Sequence, residues 1–417
     1  MKWDPYSEFH TTVLDNGLTI HARQVKQSWQ RMGCMVHSGA AQDLVEKEGT
    51  AHFLEHLVSE HSLVPNKTMN EYFKRQGGSC MLGMTSYWRT WYGFFVPSEK
   101  RVIKKSLSYF SSMLLNAELH NKIERERSVI INEFNKKYPL TFAYEKLVKE
   151  HTLLHENRML ERMLCSLGTC QTIDNITQHD LQKYYDIHYV PANMSIVTVG
   201  GYSVDQIVEL LSESDFSQNK PGKRASLNLG GELVPLSTTR LMFNMGDYLK
   251  VLPNKNGSYE SRGRLPRHVN TRSVTLLVLM LRILLFRALR EKRAWTYDVS
   301  VDWNNYRDFY SFDIKCSSFD IKAVNKIETV IDGIIASVPT KRSFFEKIKK
   351  DRLKSVWMND ENGSQLLDEV LGDATLYNRI LTLQEFYETI ERVSFEDVCN
   401  LIPYLVPEKR LTTIIVP

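Results

Sequence analysis

An α+β chain built as two copies of one domain is predicted by three observations. Strand-like and amphipathic helical segments alternate along the 417 residues, the pattern of sheets layered with helices. A succession of capped helix, Val-Pro and strand occurs twice, as TQHDLQKYYDIHYVPANMSIVTV from Thr177 and SFEDVCNLIPYLVPEKRLTTIIV from Ser394. The two starts lie 217 positions apart and the Val-Pro pairs 216 apart, close to half the chain. Such a fixed offset is the mark of an internal repeat. Between the copies, Ser212 to Gly231 is rich in Ser, Asn, Lys, Gly and Pro and reads as a linker. The expected division is a first domain over 1–217, a linker over 218–238 and a second domain over 239–417.

The elements follow in order. Thr12 to Leu14 and Leu18 to Ile20 flank Asp15-Asn16-Gly17, a hairpin signal, because Asn-Gly accepts the positive φ of a tight turn. Gly49-Thr50-Ala51-His52-Phe53-Leu54-Glu55-His56-Leu57-Val58 reads as a helix. At about 100° per residue, His52, Glu55, His56 and Ser59 fall within an arc of about 100°, while Phe53, Leu54, Leu57 and Val58 occupy the opposite side. Glu124 to Phe134 is a second helix, with Glu126, Ile130, Glu133 and Phe134 along one stripe. His151 and His155 form another i, i+4 pair, read as a solvated helix face without a well-placed downstream carboxylate. Lys341 to Lys354 is basic but interleaved with Phe344, Phe345, Ile348 and Leu353, as in an amphipathic helix with one wet face.

Composition excludes several classes. Hydrophobic residues at 42 % and charged residues at 24 % rule out a disordered or fibrous chain. A net charge of only +4 gives no footprint for nucleic acid. The longest apolar run, Val274 to Leu281, is too short for a membrane span. Met1-Lys2-Trp3-Asp4-Pro5 opens no apolar secretory segment. The six cysteines, at 34, 80, 165, 170, 316 and 399, show neither a paired framework nor metal or redox spacing. A cytoplasmic protein with reduced thiols is the expectation. No Gly-rich phosphate loop and no GxSxG elbow is found.

The sharpest chemistry lies in His52-x-x-Glu55-His56. Imidazoles at i and i+4 on a helix can grip one metal ion, and the carboxylate just before the second can reach a water held there. A hydrolytic zinc site needs a third protein ligand and an open position. Glu126 and Glu133 are both candidates, since carboxylates on a mainly apolar stripe are costly to bury without a partner and a dication is one such partner. A solvated His/Glu face and solvated glutamates are the plainer alternatives.

These features together resemble the pitrilysin/insulysin family of inverted-motif zinc peptidases. The HxxEH motif, Glu133 at 77 residues beyond His56, and Glu126 seven residues earlier carry the likeness. Leu14-Asp15-Asn16-Gly17-Leu18, Tyr189-Val190-Pro191-Ala192-Asn193-Met194, and Leu289-Arg290-Glu291 followed by Tyr297 extend it over nearly the whole chain. The length is similar to that of the shorter members, among them the mitochondrial processing peptidases and their bacterial relatives. The resemblance implies two homologous α/β-roll domains, each a mainly antiparallel sheet packed with helices. It implies Zn2+ bound by His52, His56 and Glu133, Glu55 as the general base, and Glu126 orienting a ligand.

Arg290 and Tyr297 would bind the substrate backbone and assist at the tetrahedral intermediate. Leu82 and Gly83 stand where the family usually has Asn-Ala on the strand edge that pairs with an extended substrate. The family's Gly ahead of the Tyr region is also replaced, by Ala294-Trp295-Thr296. The activity implied is endopeptidase cleavage of peptides or unfolded segments in an enclosed chamber, most simply in a homodimer, with a homologous partner subunit as the alternative. The rival reading is a catalytically inactive homologue acting as scaffold or partner subunit. Such homologues characteristically lose a ligand or the base, and here all are present.

Overall fold

The computed structural model describes residues 4–60, 69–137, 166–217, 222–225, 236, 238–244, 257–305, 309–319, 321–356, 366–367, 370–371 and 379–416. The chain divides into two compact units. One comprises Met1–Pro139, Glu161–Asn228 and Asn359–Leu383, and the other Leu140–Leu160, Leu229–Met358 and Gln384–Pro417. Leu367 and Leu371 therefore belong to the first unit, where they pack over Gly33.

The first unit runs β1 His10–Val13, β2 Thr19–Gln24, β3 Trp29–Val36, α1 Thr50–Ser59, α2 Met69–Arg75, β4 Ser79–Thr85 and β5 Thr90–Pro97. It continues through α3 Lys100–Leu115, α4 Ile123–Lys137, α5 Cys170–Asn175, α6 Gln178–His188, β6 Met194–Gly200 and α7 Val204–Ser212. Its six-stranded sheet has the order β1-β2-β6-β3-β5-β4, antiparallel except where β2 and β6 pair parallel. The expected hairpin is the β1–β2 turn: Val13 stands opposite Thr19, and Gly17 takes φ +87°. Asn16 tightens the turn by accepting from the Leu18 amide at 3.2 Å. A side chain at Gly17 would also meet Ala192 at 2.8 Å, so this position is closed twice over.

The second unit runs β7 Arg240–Asn244, β8 Gly257–Pro266, α8 Thr271–Leu285, β9 Asp298–Asn305, β10 Phe309–Phe319 and α9 Val324–Ser337. After these come α10 Arg342–Ser355, α11 Leu383–Glu391, α12 Phe395–Cys399 and β11 Arg410–Val416. Its five-stranded sheet has the order β7-β11-β8-β10-β9, with β7 and β11 the parallel pair. Superposing the strand orders makes β11 the counterpart of β6, and β7, β8, β10 and β9 the counterparts of β2, β3, β5 and β4.

The sequence repeat lies in this correspondence. Thr177 and Ser394 each cap their helix through a reciprocal box with Asp180 and Asp397, and Val-Pro then starts a short 3-10 turn before β6 and β11. Capping and proline chemistry are local, so they survive where overall identity has faded. The fold is thus two α/β domains, each a mainly antiparallel sheet packed with helices. In this alignment α8 takes the chain position of α1, yet its sequence, TRSVTLLVLMLRILL, carries no His or carboxylate. Among the described residues, no helix is long and apolar enough to cross a membrane.

A candidate metal centre on two crossed helices

Helix α1 is fixed at its start by a buried carboxylate. Gly49 caps it in the left-handed region, φ +98°, and has no side chain to satisfy the first amides. Asp43, 1 % exposed, accepts from Gly49 N at 2.7 Å and Ala51 N at 2.9 Å. Negative charge at a helix N-terminus is favourable for the same reason as a cap. Phe53, Leu54, Leu57 and Val58 are buried in the core, which turns His52, Glu55 and His56 the other way.

Helix α4 crosses it, anchored by buried Ile130 and Phe134. Arg127 lies over the Phe53 ring at 5.3 Å and donates to the Ile176 carbonyl at 3.0 Å, locking α4 against α1 and the end of α5. Glu133 Oε2 then stands 3.7 Å from His52 Nε2 and 3.5 Å from His56 Nε2. One ligand atom from each of these three residues lies within 4.8 Å of the others. Two ligands at tetrahedral zinc distances are separated by about 3.3–3.5 Å, so the set is spaced for the ion, and its N, N, O chemistry suits zinc. The residues fit the metal.

Glu126, only 4 % exposed, occupies the far side of His56. Its Oε2 is 3.2 Å from His56 Nδ1, and its Oε1 accepts from Arg125 Nε at 2.9 Å. A carboxylate on Nδ1 holds the proton there and leaves Nε2 free to bind metal. Arg125 also donates to Glu60, which accepts from Lys122 Nζ at 3.2 Å, so the end of α1 and the start of α4 share one ionic chain.

Glu55 faces β4 instead. Thr85 Oγ1 donates to its Oε2 at 2.7 Å. Burial pushes the Glu55 carboxyl above the ordinary carboxylate range, against the opposing pull of Thr85 and His56. Leu82 and Gly83 sit in β4, at the register slip between Met81 and Met84. Gly83 takes φ +143° and its backbone packs on the Glu55 side chain.

In the second unit, Arg290 and Tyr297 are brought together. Arg290 is in a π-helical turn, Phe286–Glu291, and its guanidinium lies 4.8 Å from the Tyr297 ring centre. Tyr297 is 69 % exposed. Between them Ala294 takes φ +48°, the left-handed conformation that a glycine adopts cheaply. His151 and His155 lie outside the described residues. Asp43, Thr85 and Arg125 were not singled out from sequence, since each acts through a contact set by the tertiary fold.

Comparison with known proteins places these features. The family model described as Insulinase (Peptidase family M16) matches residues 18–162, and the Peptidase M16 inactive domain matches 175–341. The mitochondrial-processing peptidase subunit beta of Saccharomyces cerevisiae is 30 % identical over 230 residues, covering 54 % of this chain and 48 % of its own. The chain thus spans about half the length of the curated relatives it matches.

Among solved structures, a protease from Helicobacter pylori superposes with TM-score 0.76 at 16 % identity, covering 100 % of both chains. A putative M16-like peptidase from Alicyclobacillus acidocaldarius gives 0.80 at 18 %, covering 98 % of both. At these identities the structures establish the fold. The expectation of a cytoplasmic protein is corrected by the curated relatives, which are by name mitochondrial-processing peptidases. Two models of one family, matching residues 18–162 and 175–341 in succession with the HxxEH helix in the first, make this chain a member of peptidase family M16, the insulinase family.

Proposed function

We propose that the protein is a zinc-dependent endopeptidase acting on peptides or unfolded segments bound in extended form. The observation that carries this reading is the convergence of His52, His56 and Glu133 at zinc spacing, with Glu55 on the same helix. His52, His56 and Glu133 hold the ion, and Glu126 orients His56. When bound, zinc supplies Lewis acidity that brings the pKa of a water to about 7. Glu55 takes the proton from the attacking water and returns it to the leaving amine, the role of a buried carboxyl raised towards neutrality.

Arg290 and Tyr297 grip the substrate backbone, and the edge strand β4, at Leu82 and Gly83, pairs with an extended peptide. The homologous halves are residues 1–217 and 239–417, joined by 218–238. A homodimer is the assembly we propose, because one chain carries both the metal helix and the Arg290/Tyr297 pair. The test is cleavage of quenched fluorogenic peptides by wild type and Glu55→Gln. Zinc content should be unchanged while kcat falls by at least about 100-fold, the usual worth of a general base. Undiminished cleavage by Glu55→Gln would remove the mechanism.

A further inference from the structure

Resting on the reading of Glu55 as the base, we propose that Thr85 is a positioning residue that fixes the Glu55 carboxylate, with the backbone at Gly83 as its back wall. The two oxygens of Glu55 stand in different surroundings. Oε2 accepts from Thr85 Oγ1 at 2.7 Å. Oε1 and the side-chain stem lie against Gly83, where an added Cβ would come 2.6 Å from Cγ, 2.8 Å from Oε1 and 3.0 Å from Cδ. A side chain at 83 would have to push the Glu55 side chain aside, and φ +143° disfavours one independently. The register slip between Met81 and Met84 is what lets this backbone come so near, since a bulge re-aims a strand at its edge.

The hydroxyl is itself held. Thr85 stands opposite Thr90 in the β4–β5 ladder, and Thr90 Oγ1 donates to the Ser38 carbonyl at 3.1 Å. The tip of the same hairpin accepts from Ala40 N at Ser86 O, 3.1 Å, and from Ala41 N at Tyr87 O, 2.9 Å. Asp43, two residues further on, holds the first amides of α1. One short segment, residues 38–43, therefore ties the hairpin that carries the hydroxyl to the helix that carries the carboxylate. The Thr85–Glu55 distance is set locally. A glutamate with three rotatable bonds is left with one orientation, and a group so placed needs no search before it reacts.

The experiment compares Thr85→Val, Thr85→Ser and Glu55→Gln with wild type, measuring kcat, KM, zinc affinity by chelator competition, and melting temperature. Thr85→Val keeps the shape and removes the donor. Its kcat should fall by about 10- to 100-fold, the size of a hydrogen bond to a charged, buried carboxylate. KM and zinc affinity should stay within about twofold of wild type, because the contact touches neither ligand nor substrate backbone. Thr85→Ser restores the hydroxyl and should recover kcat to within about threefold.

Wild-type turnover by Thr85→Val beside an inactive Glu55→Gln would overturn the role of Thr85 alone. So would a parallel loss of zinc, a matching rise in KM, or a Thr85→Ser as impaired as the valine. Full cleavage by Glu55→Gln would instead overturn the reading of Glu55. Should Thr85→Val fail to fold, Thr85→Ala carries the same expectations.

Discussion

Replacing Glu126 by Gln should weaken zinc binding by about 10- to 100-fold, although Glu126 is placed to touch no metal. Glutamine preserves the volume of a side chain that is 4 % exposed, so packing on α4 is kept. The loss is electrostatic. Glu126 now accepts from two donors on opposite oxygens, His56 Nδ1 at 3.2 Å and Arg125 Nε at 2.9 Å. An amide offers only one oxygen and turns its NH2 towards the other donor.

The Arg125 side adds less than about 1 kcal/mol, because exposed ion pairs are screened. Its side chain is 57 % exposed and bonds to Glu60 as well. The His56 side is a charge-assisted bond in a buried setting, worth about 1.5–3 kcal/mol. At 1.4 kcal/mol per decade, the His56 bond, the one that bears on a metal ligand, gives one to two orders of magnitude in Kd. Competition against a chromophoric zinc chelator at fixed pH and salt measures it, with the melting temperature of the zinc-free protein as the control for folding. An unchanged Kd would show that His56 is oriented by something other than Glu126.

Three further outcomes follow from the same geometry. Asp43→Ala strands two buried amides at the start of α1 and should lower stability by about 2–3 kcal/mol in urea unfolding, and a change under about 0.5 kcal/mol would deny Asp43 its capping role. Ala294→Gly relieves a left-handed alanine and should stabilise by about 0.5–1 kcal/mol after the larger unfolded-state entropy of glycine; destabilisation would refute strain at that bend. Burial lowers His21 and His188 to about 4, and burial with Arg224 nearby lowers His37 to about 3, against 6.5 when unfolded. The unfolded chain therefore binds more protons below pH 6.5, and stability falls as pH drops towards 4, by about 1–2 kcal/mol per histidine at pH 5. Urea midpoints at pH 7 and pH 5 check this, and a slope that survives His21→Gln and His188→Gln unchanged would contradict it.

What could be read in the sequence was local. The i, i+4 histidines and the intervening Glu55 share a helix face, and Glu126 and Glu133 share another, so spacing brought out as candidates the four residues that meet between α1 and α4, with Glu55 beside them. The repeat was visible for a similar reason. A capping box and an X-Pro turn each need only a few neighbouring residues, and Thr177/Asp180 and Ser394/Asp397 kept them. The implied compartment came instead from absences, the unpaired cysteines and the lack of an apolar N-terminal run, and absences carried it the wrong way.

Other features needed the folded chain. Thr85 is 30 residues from Glu55, and nothing in its neighbourhood marks it out until β4 folds beside α1. Asp43 lies six residues before the glycine it serves, too far to look like a cap. The return of Leu367 and Leu371 to the first unit is a tertiary event with no local signal, because both are ordinary leucines in an amphipathic run. The parallel β2–β6 and β7–β11 pairs arise from crossovers that periodicity does not specify.

The claim on which all of this rests is that three side chains from two helices hold one zinc ion. X-ray absorption at the zinc edge reads that ligand set directly. Two imidazole nitrogens with oxygen donors, all at about 2.0–2.2 Å, are expected, with the ion lost when His52 and Glu133 are replaced by Ala. Sulfur scattering at about 2.3 Å, or full zinc occupancy in the doubly substituted protein, would contradict it.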